Sequence, residues 1–401
     1  MNRYCILTTS LAWVCVIGFS YGCVKPDPDN PWSTKSKSAG GKQAPNTGHE
    51  HAASSSAAEA SPSRAVDFEE ETIRVRPSDE APMLGNAGGV ASENAFALAE
   101  IRAQSILMRA ANDQHPLLRA NGFEGLEYVP HALAELAPMG LSDENRAVRF
   151  VTAMAVGNAS IQGMAPYIEP LLLDDSESVQ AAGIFALRSL GEPVDPSPLA
   201  AFVMSEDPEV RANTYLILGK LANPSAIPLI QSSLGTGMHL ANPMRVKIAE
   251  LQAADALVEL GERAEVEPIR AALFAPVEQG ELTILACQLL GQIGDGQARS
   301  MLQRLLTAPG RQQRPLEIRI AAAKALFMID EMPSEQLAGV IFSGVGNEDA
   351  RVRVQAASAL AVVPGKEAQR VLIGMLEDTD PLVSTAAAAA IARRSHGSMD
   401  Q

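Results

Sequence analysis

Aromatic side chains supply only 4% of this 401-residue chain, and cysteine occurs four times, at Cys5, Cys15, Cys23 and Cys287. Three of these fall at the N-terminus, so the rest of the chain has neither a disulfide framework nor paired metal-binding thiolates. Histidine is equally sparse. Of His49, His51, His115, His131, His239 and His396, only His49 is followed by a glutamate. There is no phosphate-cradling G-x-x-x-x-G-K-[ST] loop. Gly291, Gly294 and Gly296 have the wrong spacing for a dinucleotide turn, and Ser343-Gly344 lacks the glycine that a nucleophile elbow needs. Positive charge is also short. Lys and Arg total 32 against 47 Asp and Glu, a net charge of −15, which excludes the basic groove that nucleic acid requires. The acidity serves solubility and favours basic partners.

What the chain has in quantity is a repeat. DPEVRANTYLILGKL, from Asp207 to Leu221, returns in altered form with its anchors at Leu118, Val148, Val179, Val210, Leu282, Ile318, Val352 and Val383. A shifted copy is centred on Ala249. Spacings of about 30 to 39 residues mark a stack of similar units. Seven and eight residues after each anchor comes a second apolar pair, such as Ile217-Leu218 or Ala359-Leu360, on the same helical face. Alanines fill the positions between and let neighbouring helices approach. Asp207-Pro208 and Asp380-Pro381 are helix starts, each with a capping carboxylate and a proline at the first position. Gly157, Gly191, Gly261, Gly294 and Gly365 are expected stops. A shorter amphipathic run follows each frame helix, as in PSAIPLIQSSL from Pro224. The unit is a helical pair, and the array reads as one elongated body.

The N-terminus has a different composition. MNRYCILTTSLAWVCVIGFSYGC combines Arg3, an apolar run and Gly22 before Cys23, the layout of an export signal, slightly short of the ~20 residues of a spanning helix. From Val24 to about Ser92 the chain is rich in Pro, Ser, Ala and Gly. Such a segment buries too little apolar surface to offset its ordering entropy, and as a flexible coil it would span about 45 Å. Within it, VDFEEETIRVRP from Val66 to Pro77 reads as a charged linker, with a docking peptide as the alternative.

The D-x-x-V-R-x-x-A-x-x-A-L frame, best kept at Asp207–Leu218, Asp349–Leu360 and Asp380–Ile391, resembles the HEAT-repeat superfamily, in the short form known as the phycobilisome-lyase HEAT-like repeat. The resemblance covers roughly residues 93–394. It implies an all-α, right-handed α-solenoid of about nine stacked helical pairs. It also implies that the second helices, which carry Arg270, Arg299, Arg304 and Arg370, line the concave side. The early copies depart from the frame: Leu118 is followed by the Gly-rich ANGFEGL and Val148 by Phe150, as expected of an irregular terminal cap. Gly22-Cys23 resembles the lipobox of bacterial lipoproteins, in which the cysteine is lipidated. Ser20 and Tyr21 depart from that pattern, and an ordinary signal peptide is the alternative. Two related branches are associated with chemistry. The hydroxylase branch holds di-iron on His-Glu pairs, which the repeats here lack, and nothing in the frame carries the reaction of the lyase branch.

These readings give a signal peptide at 1–22, a disordered tether at 23–92, a solenoid at 93–395 and a tail at 396–401. The expected function is a non-catalytic protein-protein interaction scaffold, exported to the cell envelope and membrane-anchored through Cys23. It has no cofactor, metal or nucleic acid, and its protein partner is unknown. The alternative is an enzyme or enzyme accessory of the HEAT-like lyase/hydroxylase type. Cys287, in TILACQLL, reads as a core filler. Arg119, Arg149, Arg211, Arg319 and Arg353 each follow an anchor and are expected to pair with helix-start aspartates of adjacent repeats. The extra length of the long repeats falls in TGMHLANP and TAPGRQQRP, each between the second helix of one unit and the first of the next. These loops are expected to share one rim, with Met238, His239, Arg311 and Arg314 as candidate partner contacts.

Overall fold

The computed structural model describes residues 87–238, 241–330 and 335–399. In chain order its α-helices are α1 (Ala87–Ala111), α2 (Pro116–Leu126), α3 (Pro130–Leu141), α4 (Arg146–Asn158), α5 (Ala165–Ile168) and α6 (Glu177–Ser189). Next come α7 (Pro198–Phe202), α8 (Pro208–Lys220), α9 (Ile227–Ser233), α10 (Pro243–Glu259), α11 (Val266–Ala272) and α12 (Gly280–Ile293). The series ends with α13 (Arg299–Thr307), α14 (Leu316–Ile329), α15 (Glu335–Phe342), α16 (Ala350–Leu360), α17 (Lys366–Met375) and α18 (Pro381–Met399). The even-numbered helices carry the sequence frame. There is no strand among the described residues, and the chain is an all-α helical repeat.

The caps work as their residue types dictate. Asp207 accepts from the Glu209 N–H at 2.9 Å, and Asp380 from the Leu382 N–H at 2.8 Å. Gly191, Gly261, Gly294 and Gly365 all have positive φ, as expected of stops. Gly157 does not: it lies inside α4 and serves packing. A Cβ there would stand 3.0 Å from the backbone of Ala186 in α6. Gly219 of α8 faces Ala256 of α10 in the same way, and Gly291 of α12 faces Ala325 of α14. Small residues thus set the tightest helix approaches.

Each frame helix packs on the next, from α2 through α4, α6, α8, α10, α12, α14 and α16 to α18. The series does not end there, because α18 packs back on α2. Among the described residues the nine frame helices therefore close a circle, where the sequence suggested an elongated array. Around the junction Ser395 donates to the Glu100 carboxylate, Arg102 pairs with Glu377, and the His396 ring meets the edge of Tyr128 at 6.1 Å. A Cβ on Gly125 would lie 3.1 Å from the Ala389 methyl. The Gly-rich ANGFEGL thus lets α1 approach closely, with Ala110 and Ala111 against Gly122 and Leu107 against Gly125, and brings Ala389 of α18 against Gly125 as well.

A frame helix has frame neighbours on both flanks and a short helix behind it. This explains why α4 buries Ala147, Val148 and everything from Phe150 to Gly157, whereas α13 buries only Leu302 and Leu305. The frame helices are therefore the more deeply buried layer, and the short helices the more exposed one. The core falls into two clusters. One runs from α1 to α10 and resumes from α14 to α18; the other spans α10 to α14.

Candidate partner-binding rim

The rim is built on the arginine ladder. Arg119 donates through Nε and Nη2 to both oxygens of Asp143 at 2.7 and 2.8 Å. Arg149 does the same to Asp174 at 2.7 and 2.8 Å, and Arg353 to Asp378 at 2.8 and 2.9 Å. The third nitrogen of each guanidinium donates to two main-chain carbonyls ahead of its own helix: Asp113 and Gln114, Asp143 and Glu144, or Asn347 and Glu348. The planar fork suits this bidentate use.

The acceptor aspartates lie two residues ahead of the helix caps, not at the caps the sequence suggested. Asp143 also takes the Asn145 N–H, and Asp378 the Asp380 N–H. One carboxylate thereby joins an arginine of one repeat to the helix start of the next. These donors are consumed by the fold, so the row is structural. Two rungs differ. Arg211, 1% exposed, donates only to the carbonyls of Ser205, Ser233 and Met204. Arg319 has a buried Nε without a partner, and the position two residues ahead of the Asp349 cap holds the neutral Asn347.

Above the ladder run the connections from each short helix to the next frame helix. At or just after the end of five successive short helices a large apolar side chain is exposed: Met139, in the last turn of α3, then Leu173, Met204, Leu234 and Phe274, the last joined by Val277. Leu173 is 90% exposed and Phe274 54%. Single exposed apolar groups are ordinary, but one at or near the end of each of five consecutive short helices marks a candidate surface. Sequence reasoning missed this row because these residues read as the apolar phase of the short helices.

The two long connections each run from a short helix to the next frame helix. Met238 is partly buried, with φ of 59°, in the loop over Arg211, where a Cβ on Gly237 would come 2.7 Å from the Arg211 Nη2. Arg314 is half-buried and donates to the Ala275 carbonyl at 3.1 Å, tying its loop to the Phe274 connection. Arg304 places its guanidinium 5.7 Å from the Phe274 ring centre. Met238 and Arg314 occupy different repeats, with the Phe274 connection between them. His239 and the Arg311 side chain lie outside the described residues, as does Cys23.

The chain matches no protein-family model and no curated protein sequence. Among solved structures it is similar to the CpcE–CpcF complex of phycocyanin lyase from a Nostoc species, at 18% identity over 68% of this chain and 98% of that one, with a TM-score of 0.37. It is also similar to human deoxyhypusine hydroxylase in complex with glycerol, at 15% identity over 78% of this chain and 100% of that one, with a TM-score of 0.32. The repeat architecture of this chain rests on its own helix order.

Other chemistry-bearing groups are accounted for individually. Among the described residues no three His, Cys, Asp or Glu side chains group in a way that could hold a metal ion. Cys287 is fully buried, and burial pushes its thiol far above the ordinary range, away from the nucleophilic thiolate. Asp255 of α10 is 4% exposed; burial, then the nearby Glu259, push its carboxyl well up, with Lys220 opposing. No described helix is long and apolar enough to cross a membrane.

Proposed function

We propose that the chain is a non-catalytic binding scaffold whose protein partner docks on the rim formed by the short-to-frame connections. The observation that carries this reading is the row of exposed apolar side chains from Met139 to Phe274. It is held in register by the ladder beneath it, and the Met238 and Arg314 loops border it. Interfaces draw their energy from a few buried apolar anchors surrounded by polar groups, and this row supplies such anchors. Leu173→Glu together with Phe274→Glu is expected to leave the helical melting curve unchanged and to abolish partner capture. A second arm replaces residues 236–243 and 307–315 by short Gly/Ser turns. An unchanged partner list in both arms defeats the rim and redirects attention to the inner face.

The scaffold is further proposed to be exported and tethered through a lipidated Cys23, on the strength of the Gly22-Cys23 pair and the apolar run before it. A single acyl chain binds membranes only marginally, so stable anchoring requires at least two. Cys23→Ser is expected to release the protein from the membrane fraction and change its electrophoretic mobility. If neither changes in cells labelled with fatty acid, the tether is wrong.

A further inference from the structure

At three consecutive short helices, α3, α5 and α7, an exposed apolar residue is followed closely by an exposed carboxylate. The pairs are Met139 with Glu144, Leu173 with Asp175, and Met204 with Glu206. Hydrogen bonds and an ion pair place the three segments side by side. Arg149 donates to the carbonyls of Asp143 and Glu144 and to the carboxylate of Asp174, so one guanidinium spans the first two. Ser205 Oγ donates to the Glu177 carboxylate at 3.1 Å, which joins the second to the third. Arg146 reaches Glu209 at 3.3 Å and ties the first to the third. We propose that this stretch binds a basic amphipathic helix of a partner protein, its apolar stripe on Met139, Leu173 and Met204 and its Lys or Arg side chains on the carboxylates. The inference rests on the scaffold reading above and names the chemistry of the partner.

Charge selects a cationic occupant. The segments Met139–Asn145, Leu173–Glu177 and Met204–Glu209 hold eight Asp and Glu and no Lys, Arg or His. The cations that reach them from the frame helices are engaged: Arg119 by Asp143, Arg149 by Asp174, and Arg146 and Arg245 by Glu209. Glu144 has only a 3.7 Å approach from Arg119, and its side chain is 89% exposed. Asp175 lies in the field of Arg149, which Asp174 already holds. Asp175 and Glu206 are exposed and make no hydrogen bond or ion pair among the described residues. A second copy of this chain, at net charge −15, would meet like charge here, and so would an anionic membrane. Spacing selects a helix. Packed helices stand about 8–10 Å apart, so successive segments step by about that distance. A helix rises about 1.5 Å per residue, and seven residues cover about 10.5 Å and return to the same face. A strand covers the step in about three residues, which turns every second side chain away.

The test uses the full chain and a labelled helical peptide of about 20 residues, with leucines seven apart and a lysine beside each. A matched peptide carries glutamate for every lysine, and binding is followed by fluorescence anisotropy. The lysine peptide should saturate at least tenfold more tightly than the glutamate one, with a preference that shrinks as salt rises. Leu173→Ser should weaken it about tenfold, as expected of an anchor. Asp175→Lys with Glu206→Lys should weaken the lysine peptide about tenfold or more and strengthen the glutamate peptide. Melting curves report the fold; if the charge-reversed variant is unfolded, Asp175→Asn with Glu206→Gln decides, with a loss of roughly fivefold. Equal affinity for the two peptides, no saturation at millimolar peptide, or indifference to the carboxylate variants overturns the proposal. Binding to phosphatidylserine vesicles that Leu173→Ser abolishes, with none to the peptide, also overturns it in favour of a membrane surface. If Leu173→Glu with Phe274→Glu abolishes partner capture while the lysine peptide shows no preference, the rim stands and the basic helix falls.

Discussion

Deletion of α18 is expected to loosen the protein at two places far apart in the sequence, α16 and α2. In an open stack the last helix supports only the one before it. Here α18 packs on both, and Val383, Ala387, Ala388 and Ile391 are fully buried between them. Burying a Val or Ile side chain is worth about 1.5–3 kcal/mol, and the deletion also exposes the faces of both neighbours, so a loss on the order of 5 kcal/mol is expected. It also removes the Ser395–Glu100 hydrogen bond and the contact of His396 with Tyr128. Hydrogen exchange gives the decisive reading: protection should fall in α2 and α16 and persist in α8 and α10. Undiminished protection in α2 would mean that the circle is open in solution.

The second large effect concerns Arg270 of α11 and Asp295. Arg270 Nε and Nη2 each donate to an Asp295 oxygen at 2.6 Å, and the two side chains are only 9% and 8% exposed. Asp295→Ala leaves a buried guanidinium with only the exposed Glu267 as a carboxylate partner, and a loss of about 3–5 kcal/mol in urea unfolding is expected. Replacing both residues, Arg270→Met with Asp295→Leu, should cost far less, because the desolvation penalty disappears with the charges. Hydrogen bonding from Arg270 holds the Asp295 carboxyl below its ordinary range. Its contribution is therefore present above the unfolded value of about 3.9 and is lost as pH falls through the lower folded value. A double variant as unstable as Asp295→Ala would show that packing, not the unpaired charge, dominates.

The helical pairs, the Asp207 and Asp380 caps and the arginine ladder were legible because each depends on residues close in sequence or on a repeated spacing. The ladder's acceptors were misplaced by two residues, since a cap aspartate and a ladder aspartate look alike until the guanidinium direction is known. Closure was not legible at all. It depends on a small rotation at every frame-helix contact, and that rotation is set by close approaches such as Gly219 on Ala256. One signal was present, however. The glycines at Gly122 and Gly125 depart from the frame where α1 and α18 come closest. The apolar row of the rim was hidden for another reason: Leu173 and Phe274 continue the periodicity of buried neighbours, and only solvent exposure tells them apart.

An open solenoid can gain or lose a unit and simply become longer or shorter, because each repeat touches only its neighbours. A closed one cannot. Removing α8 with α9, or duplicating them, would change the perimeter and leave α18 out of register with Gly125 and Tyr128. The number of units is thus fixed by geometry, and whole-unit duplication, the ordinary route by which repeat proteins diversify, is shut to this chain.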